Sequence, residues 1–280
     1  MARVIEPTDI VLRRARRFLL VRRASVLTVL LIVVGAPVLH ALGLIDTAVR
    51  GAPWSVSVLG LEVLDPLAAA SVLVARGGSL ELLLGALPAL VLVAVLGRFF
   101  CGWLCPYIPL IAASESARAL LKKLGVPLPD VKVPAGAAYV VLAVLLGASA
   151  LFGVQLAGLL YPPSLIARSA WKALVLGGAG GGATFLVLAF VADVVLGRAL
   201  WCRALCPGGA MFRLIGRFSP VAVVREPSKC TDCGVCDAVC RFEQKPMTDG
   251  EDSGCERCGR CVSSCPTGAL DLVVIARRKR

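Results

Sequence analysis

Four stretches of this chain, residues 24–45, 80–96, 134–161 and 174–196, are almost continuously apolar and too long for buried strands. A segment crossing the hydrocarbon of a bilayer needs about 20 mainly apolar residues. It must also satisfy every backbone N–H and C=O internally, which makes each stretch a helix. Among 280 residues, 58% are hydrophobic and 17% charged, more apolar surface than one soluble core of this size would bury. The expectation is a mainly α membrane protein with four transmembrane helices.

Four spans place both termini on one side of the membrane, and basic residues identify that side. Seven Lys and Arg precede the first span, five lie between residues 98 and 132, and fourteen follow residue 196. Segments 46–79 and 162–173 carry only two each. Basic loops stay cytoplasmic. The expected location is therefore the bacterial inner membrane, multi-pass, with both termini in the cytoplasm. The net charge of +12 does not imply nucleic acid, because the basic residues collect at span ends and not on a face interleaved with aromatics. Arg13, Arg14, Arg16 and Arg17 resemble a twin-arginine export signal, but Arg22 and Arg23 intervene before the apolar run, and an uncleaved first helix fits better. The first outer loop, with Trp54, Glu62, Asp65 and an apolar run over 56–74, is expected to lie on the membrane surface or dip into it.

The ends of spans two and four repeat one another. Leu96-Gly97-Arg98 leads to Cys101-x3-Cys105-Pro106, and Leu196-Gly197-Arg198 leads to Cys202-x3-Cys206-Pro207, with one residue inserted in the second copy. The membrane part is thus a duplicated two-helix unit. A spacing of four stacks two thiols on one helix face, and the following proline bends the chain there. Cys101, Cys105, Cys202 and Cys206 would together suit a third iron-sulfur cluster or a soft metal such as Cu(I); packing or thiol exchange is the alternative. Trp103 and Trp201 beside them read as interfacial aromatic anchors. Gly177 to Ala183, nearly all small, is expected to admit a neighbouring helix closely. Asp193 is either a proton-transfer group for a quinone or the partner of Arg198 or Arg98, and the lone histidine, His40, reads as structural.

The tail carries the most specific pattern. Cys230-x2-Cys233-x2-Cys236-x3-Cys240 is followed by Cys255-x2-Cys258-x2-Cys261-x3-Cys265-Pro266. Twelve cysteines in short regular motifs, with none left over, argue for metal ligation over a disulfide framework. This doubled run is the sequence form of a two-cluster bacterial ferredoxin, in which the fourth cysteine of each run ligates the other cluster. Cys230, Cys233, Cys236 and Cys265 are assigned to one [4Fe-4S] cluster, and Cys255, Cys258, Cys261 and Cys240 to the second. Zinc, the alternative for any single CxxC pair, does not explain this register. Gly234 and Gly259 stand where a Cβ would crowd the loops, and residues 221–224 and 270–275 can pair as strands. The chain divides by composition into a basic tail (1–23), a four-helix membrane domain (24–207) and a small α+β ferredoxin-like domain (208–280).

Taken together, the four spans, both C-x3-C-P motifs and the paired cluster runs resemble the NapH/MauN family of membrane ferredoxin-type proteins, whose core the larger NosR and CcoG proteins share. The likeness covers nearly the whole chain. It implies electron transfer between the quinol pool, another iron-sulfur protein and a periplasmic redox system of the nitrate reductase or methylamine dehydrogenase type, as part of a quinol dehydrogenase. The alternative is an assembly factor that supplies electrons, or handles copper, for a periplasmic metalloenzyme. Two departures stand out: Cys240 is followed by Arg241 where the pattern commonly has proline, and no flavin-binding domain is present.

Overall fold

The computed structural model describes residues 9–44, 55–58, 61–134, 136–178, 180–247 and 254–275. Trp54, Arg3, Arg50 and the basic residues at 277–280 lie outside the described residues. The elements run α1 (Asp9–Ala41), β1 (Val56–Val58), β2 (Leu61–Val63), α2 (Pro66–Arg76), α3 (Leu80–Leu96), α4 (Phe99–Trp103), α5 (Ile108–Lys123), α6 (Ala137–Phe152), α7 (Pro162–Val175) and α8 (Gly181–Val195). After a π-helical turn at Trp201–Leu205 come α9 (Pro207–Gly216), β3 (Val221–Arg225), α10 (Val235–Ala238), α11 (Arg260–Ser264) and β4 (Leu270–Val274).

The molecule is mostly helical, with a small strand pair in the tail. Within α1, Ala15–Ala41 is the one helix among the described residues that is long and apolar enough to cross a membrane by itself. Its helix starts well before the apolar run, because the Arg- and Leu-rich segment ahead of it consists of good helix formers. The other three apolar stretches form helices of 17, 16 and 15 residues. Of these, α3 has the bounds its hydropathy suggests, whereas α6 stops at Gly153, which takes the left-handed conformation that ends helices (φ +64°). Glycines delay the start of α8: Gly177, Gly178 and Gly180 fall between α7 and α8, where each would cost a helix about 1 kcal/mol. The small-residue run therefore breaks a helix more than it admits one. A Cβ at Gly177, Gly178 or Gly181 would meet nothing within 4 Å, whereas at Gly180 it would press on Lys172 and at Gly182 on Ser169, both of α7, so the end of the run does admit its neighbour closely.

The chain forms two compact units. One contains Thr28–Leu92 and Cys105–Phe212. In it β1 and β2 make an antiparallel hairpin, α2 packs on α6, and α5 and α7 both pack on α8. The segment expected as an outer loop is folded structure and not only a surface stretch: Asp65 caps α2 by accepting from Leu67 and Ala68 N–H at 2.9 and 3.2 Å, and Ser71 meets Ser149 of α6 at 3.0 Å in the interior. Arg118 of α5, also buried, donates to the Val194 and Val195 carbonyls at the end of α8, to the Pro129 carbonyl and to Asp130. His40 packs on Trp171 with ring centroids 4.9 Å apart, in keeping with a structural role.

The other unit contains Met1–Leu27, Val93–Leu104 and Arg213–Arg280. There β3 and β4 pair antiparallel, Val223 opposite Leu272 and Arg225 opposite Leu270, as the apolar runs over 221–224 and 270–275 suggest. Alongside, α10 packs on α11 and α11 on β4.

Candidate iron-sulfur centres and the turns beside them

Each C-x2-C loop of the tail has the same backbone signature. The residue before the second cysteine is left-handed although it is not glycine (Asp232, φ +51°; Arg257, φ +54°), and the glycine after that cysteine is left-handed too (Gly234, +70°; Gly259, +67°). Two such residues in each loop coil the chain tightly around the second cysteine. At Gly234 the glycine is needed for this conformation alone, since an added Cβ would meet nothing within 4 Å. At Gly259 a Cβ would also run into the Phe18 ring.

The second cysteine set surrounds an opening. Cys240, Cys255, Cys258 and Cys261 all line one cavity enclosing about 530 Å³ of empty space, its mouth included, together with Val223, Phe242 and Pro246. Of the other set, Cys236 and Cys265 belong to the small apolar core with Val223, Val262, Ala269 and Leu270, Cys230 packs against it, and Cys233 is exposed. No three His, Cys, Asp or Glu side chains among the described residues are gathered closely enough for a single metal ion. A cubane instead takes one thiolate on each of four irons, spread around its corners. Four sulfurs around one cavity fit that group, and Cys255 already accepts the Arg257 N–H at 3.4 Å, a bond that would stabilise a ligating thiolate.

Burial dominates the thiols. It pushes Cys258 well above the ordinary thiol range, with Glu256 adding to the rise and Arg22 opposing it. Burial pushes Cys261 up to about 12 and Cys236 up to about 11. Cys265 differs: burial raises it, but hydrogen bonds from Thr267 and from the Ala269 N–H bring it below its ordinary value. Without metal most of these thiols are neutral, so loading the centres releases protons.

Around the cavity stands a shell of charge that the sequence reading did not identify. Arg22, Arg98, Arg241, Arg257 and Glu256 are all buried. Arg22 Nε donates to the Gly102 carbonyl at 2.9 Å, and Arg98 Nη1 to the Gly254 carbonyl at 2.8 Å. The Arg257 guanidinium donates to the carbonyls of Val221, Cys255 and Gly216. Only the replacement of the expected proline by Arg241 hinted at it. Trp103 serves this unit as well, correcting its reading as a lipid-interface anchor: its indole N–H donates to the Arg257 carbonyl at 3.0 Å, and its ring stacks on Phe99 and meets Phe18 edge-on. Trp201 is likewise interior to its own unit, edge-on to Phe185.

The two C-x3-C-P copies differ where the sequences differ. In the first, Gly97 is left-handed (φ +68°) and Leu104 N–H closes an α-helical turn on Phe100. In the second, Ala199 takes the left-handed residue (φ +48°), and Cys206 N–H reaches back five residues to Trp201, so the inserted residue is absorbed as a π turn. Asp193 holds this turn, one oxygen accepting Trp201 N–H at 2.9 Å and the other the Tyr107 hydroxyl at 3.0 Å; neutral donors occupy both oxygens, where an arginine was one expectation. Cys105, Cys202 and Cys206 lie in the unit with Asp193, and Cys101 lies in the other. Cys206 Sγ accepts the Gly209 N–H at 3.3 Å in the first turn of α9.

Comparison with known proteins agrees with this geometry. Residues 79–127 and 179–224 match a family described as a 4Fe-4S binding domain, one match on each copy of the repeat, and residues 252–271 match another of the same description. The ferredoxin-type protein NapH of Haemophilus influenzae is 32% identical over 90% of this chain and 88% of its own length. NapH of Escherichia coli is 32% identical over 65% of this chain and 64% of its own. The methylamine utilization ferredoxin-type protein MauN of Methylorubrum extorquens is 35% identical over 69% and 65%. No solved structure matches. With two cluster-type loops in the tail, 4Fe-4S domains along its length and a relative aligned nearly end to end, the chain belongs to the NapH/MauN family of ferredoxin-type, iron-sulfur electron-transfer proteins.

Proposed function

We propose that this chain is a multi-pass inner-membrane subunit that passes electrons between the quinol pool and an iron-sulfur partner serving a periplasmic oxidoreductase. The observation that carries the reading is the cavity lined by all four thiols of one expected cluster set. Cys240, Cys255, Cys258 and Cys261 would hold one [4Fe-4S] cluster, and Cys230, Cys233, Cys236 and Cys265 the other; each supplies one-electron redox chemistry when bound. The ferredoxin-like part is taken as 208–280, following the membrane part over 24–207.

Lipid explains the helix surfaces. Leu31 and Ile32 of α1, Leu83, Leu84 and Leu87 of α3, Val140 and Val144 of α6, and Val187 and Leu188 of α8 are all exposed, a burden in water but not in hydrocarbon. The charge bias then sets both termini in the cytoplasm. MauN's name ties that relative to methylamine utilization, and a comparable periplasmic pathway is proposed here.

A second reading is favoured by the thiols of the repeat, where Cys206 is poised at a helix start. There a further cluster or Cu(I) would bind, and the protein would act in maturation of a metalloenzyme. One set of measurements separates the readings. Purified chain should contain about eight irons, or about twelve with a further cluster on the remaining four cysteines. A reduced quinol analogue should generate the EPR signals of reduced clusters in membranes containing the protein. Clusters that quinol never reduces, together with copper binding lost on replacing Cys101, Cys105, Cys202 and Cys206 by Ser, would establish the maturation role instead.

A further inference from the structure

The two cysteine sets sit in opposite electrostatic settings. Among the described residues, the buried charges around Cys240, Cys255, Cys258 and Cys261 are four arginines, Arg22, Arg98, Arg241 and Arg257, and one carboxylate, Glu256. Arg241, Lys245 and the less buried Arg260 line the cavity itself, together with Glu256. Charge interaction links Arg22 to Cys258, Arg257 to Cys255 and Arg260 to Cys240, while Glu256 opposes them at all three and outweighs the arginine at Cys258 and Cys240. At the other set the near charges are mostly acidic and wet. Cys230 Sγ–H donates to Asp232 at 3.5 Å, and Cys236 Sγ–H to Asp237 at 3.7 Å. Asp232 is 72% exposed and pairs with the partly exposed Arg225, which also hydrogen-bonds Cys230 and brings a basic side chain to this set.

A four-thiolate [4Fe-4S] centre is an anion that gains one more negative charge on reduction, so nearby positive charge favours its reduced form and nearby negative charge its oxidised form. Burial alone acts the other way, since water stabilises the more highly charged reduced state. Here, however, burial also removes the water that would screen the guanidinia, and they outnumber the carboxylate. Hydrogen bonds of Arg22, Arg98 and Arg257 to the carbonyls of Gly102, Gly254, Val221, Cys255 and Gly216 fix those three charges in place, and Arg241 is held by burial. The arginine that stands where proline is usual after Cys240 then has a reason: it brings a permanent charge to the cavity wall.

We propose that the buried arginines, Arg241 and Arg22 foremost, are redox-tuning residues that set the centre at Cys240, Cys255, Cys258 and Cys261 to the higher potential of the two, so that the first electron to reach the tail rests there. This rests on the two-cluster reading above. The test is a potentiometric titration of the purified full-length protein, followed by EPR. Wild type should give two separated midpoints. Arg241→Gln should lower the higher midpoint and leave the lower in place, Arg241→Lys should largely preserve it, and Asp232→Asn should raise only the lower. Arg22→Gln provides a second reading should Arg241→Gln fail to retain iron. Coincident midpoints in wild type, or an Arg241→Gln or Arg22→Gln protein in which only the lower midpoint moves or neither does, would overturn the tuning role with two clusters still present. Absence of cluster signals in wild type would remove the two-cluster reading and this inference together.

Discussion

Gly97 and Gly197 occupy the same place in the repeat, yet only one of them is constrained. Gly97 is left-handed, and an added Cβ would collide with the Arg257 guanidinium. At Gly197 φ is not positive, and the nearest atoms to a Cβ are backbone atoms of Val131 at 3.7 and 3.8 Å. The left-handed conformation costs an alanine about 1–2 kcal/mol, and displacing a buried guanidinium adds to that. Gly97→Ala is therefore expected to lose about 2 kcal/mol or more in thermal or denaturant unfolding followed in detergent, with Arg257 detached from its carbonyl acceptors. Gly197→Ala should stay within about 1 kcal/mol of wild type. Equal losses at the two sites would mean that the repeat, and not its local geometry, requires the glycines.

Charge counting treated Arg118 as one more cytoplasmic cation, whereas α5 carries it to the carbonyl end of α8. There it meets the Val194 and Val195 carbonyls at 2.7 and 3.0 Å and bridges to Asp130 at 2.8 Å. A helix end has carbonyls without intrahelical partners, and a cation there answers both the hydrogen bonds and the helix dipole. Arg118→Ala should cost about 2–4 kcal/mol and open the end of α8 to proteolysis, with Arg118→Lys recovering part of the loss because one ammonium cannot fork over several acceptors. Unchanged proteolysis of Arg118→Ala would show that α8 is held by apolar packing alone. This also marks how far elements can be read from sequence. The bounds of α3 and the pairing of β3 with β4 follow from runs of apolar residues, which are a local property. The early end of α6 turns on the backbone of one residue, Gly153, and the late start of α8 on glycines whose cost hydropathy ignores. The cysteine loops were legible because their spacing is itself the geometry of the site. Their arginine shell was not, since Arg22 and Arg98 approach it from far away in the chain.

Composition divides the chain near residues 23 and 207, but compactness follows contacts, and one compact unit draws on three separate segments. Ser25 Oγ donates to the Trp103 carbonyl at 2.8 Å, Ser219 Oγ to the Val95 carbonyl at 2.7 Å, and Phe18 fills the space that the missing Cβ of Gly259 leaves. Glu256 and Cys258 press so closely on Gly102 that a Cβ there would overlap them. The loop bearing Cys255 and Cys258 packs on the tail core through Cys255 but is also shaped from outside the tail, by residues near 20 and near 100, whereas Cys230, Cys236 and Cys265 are set in that core of tail residues alone. Residues 208–280 expressed alone should therefore retain one cluster and lose the other. Iron should fall from about eight to about four per chain, and the higher-potential EPR signal should disappear while the lower persists. The loss follows from exposure: without Trp103, Arg22 and Phe18, the 255–258 loop loses the surface it folds against, and its thiols open to water and oxidation. A free tail that reconstitutes both centres with wild-type potentials would show that the loop holds its shape unaided and that the N-terminal helix only anchors the protein.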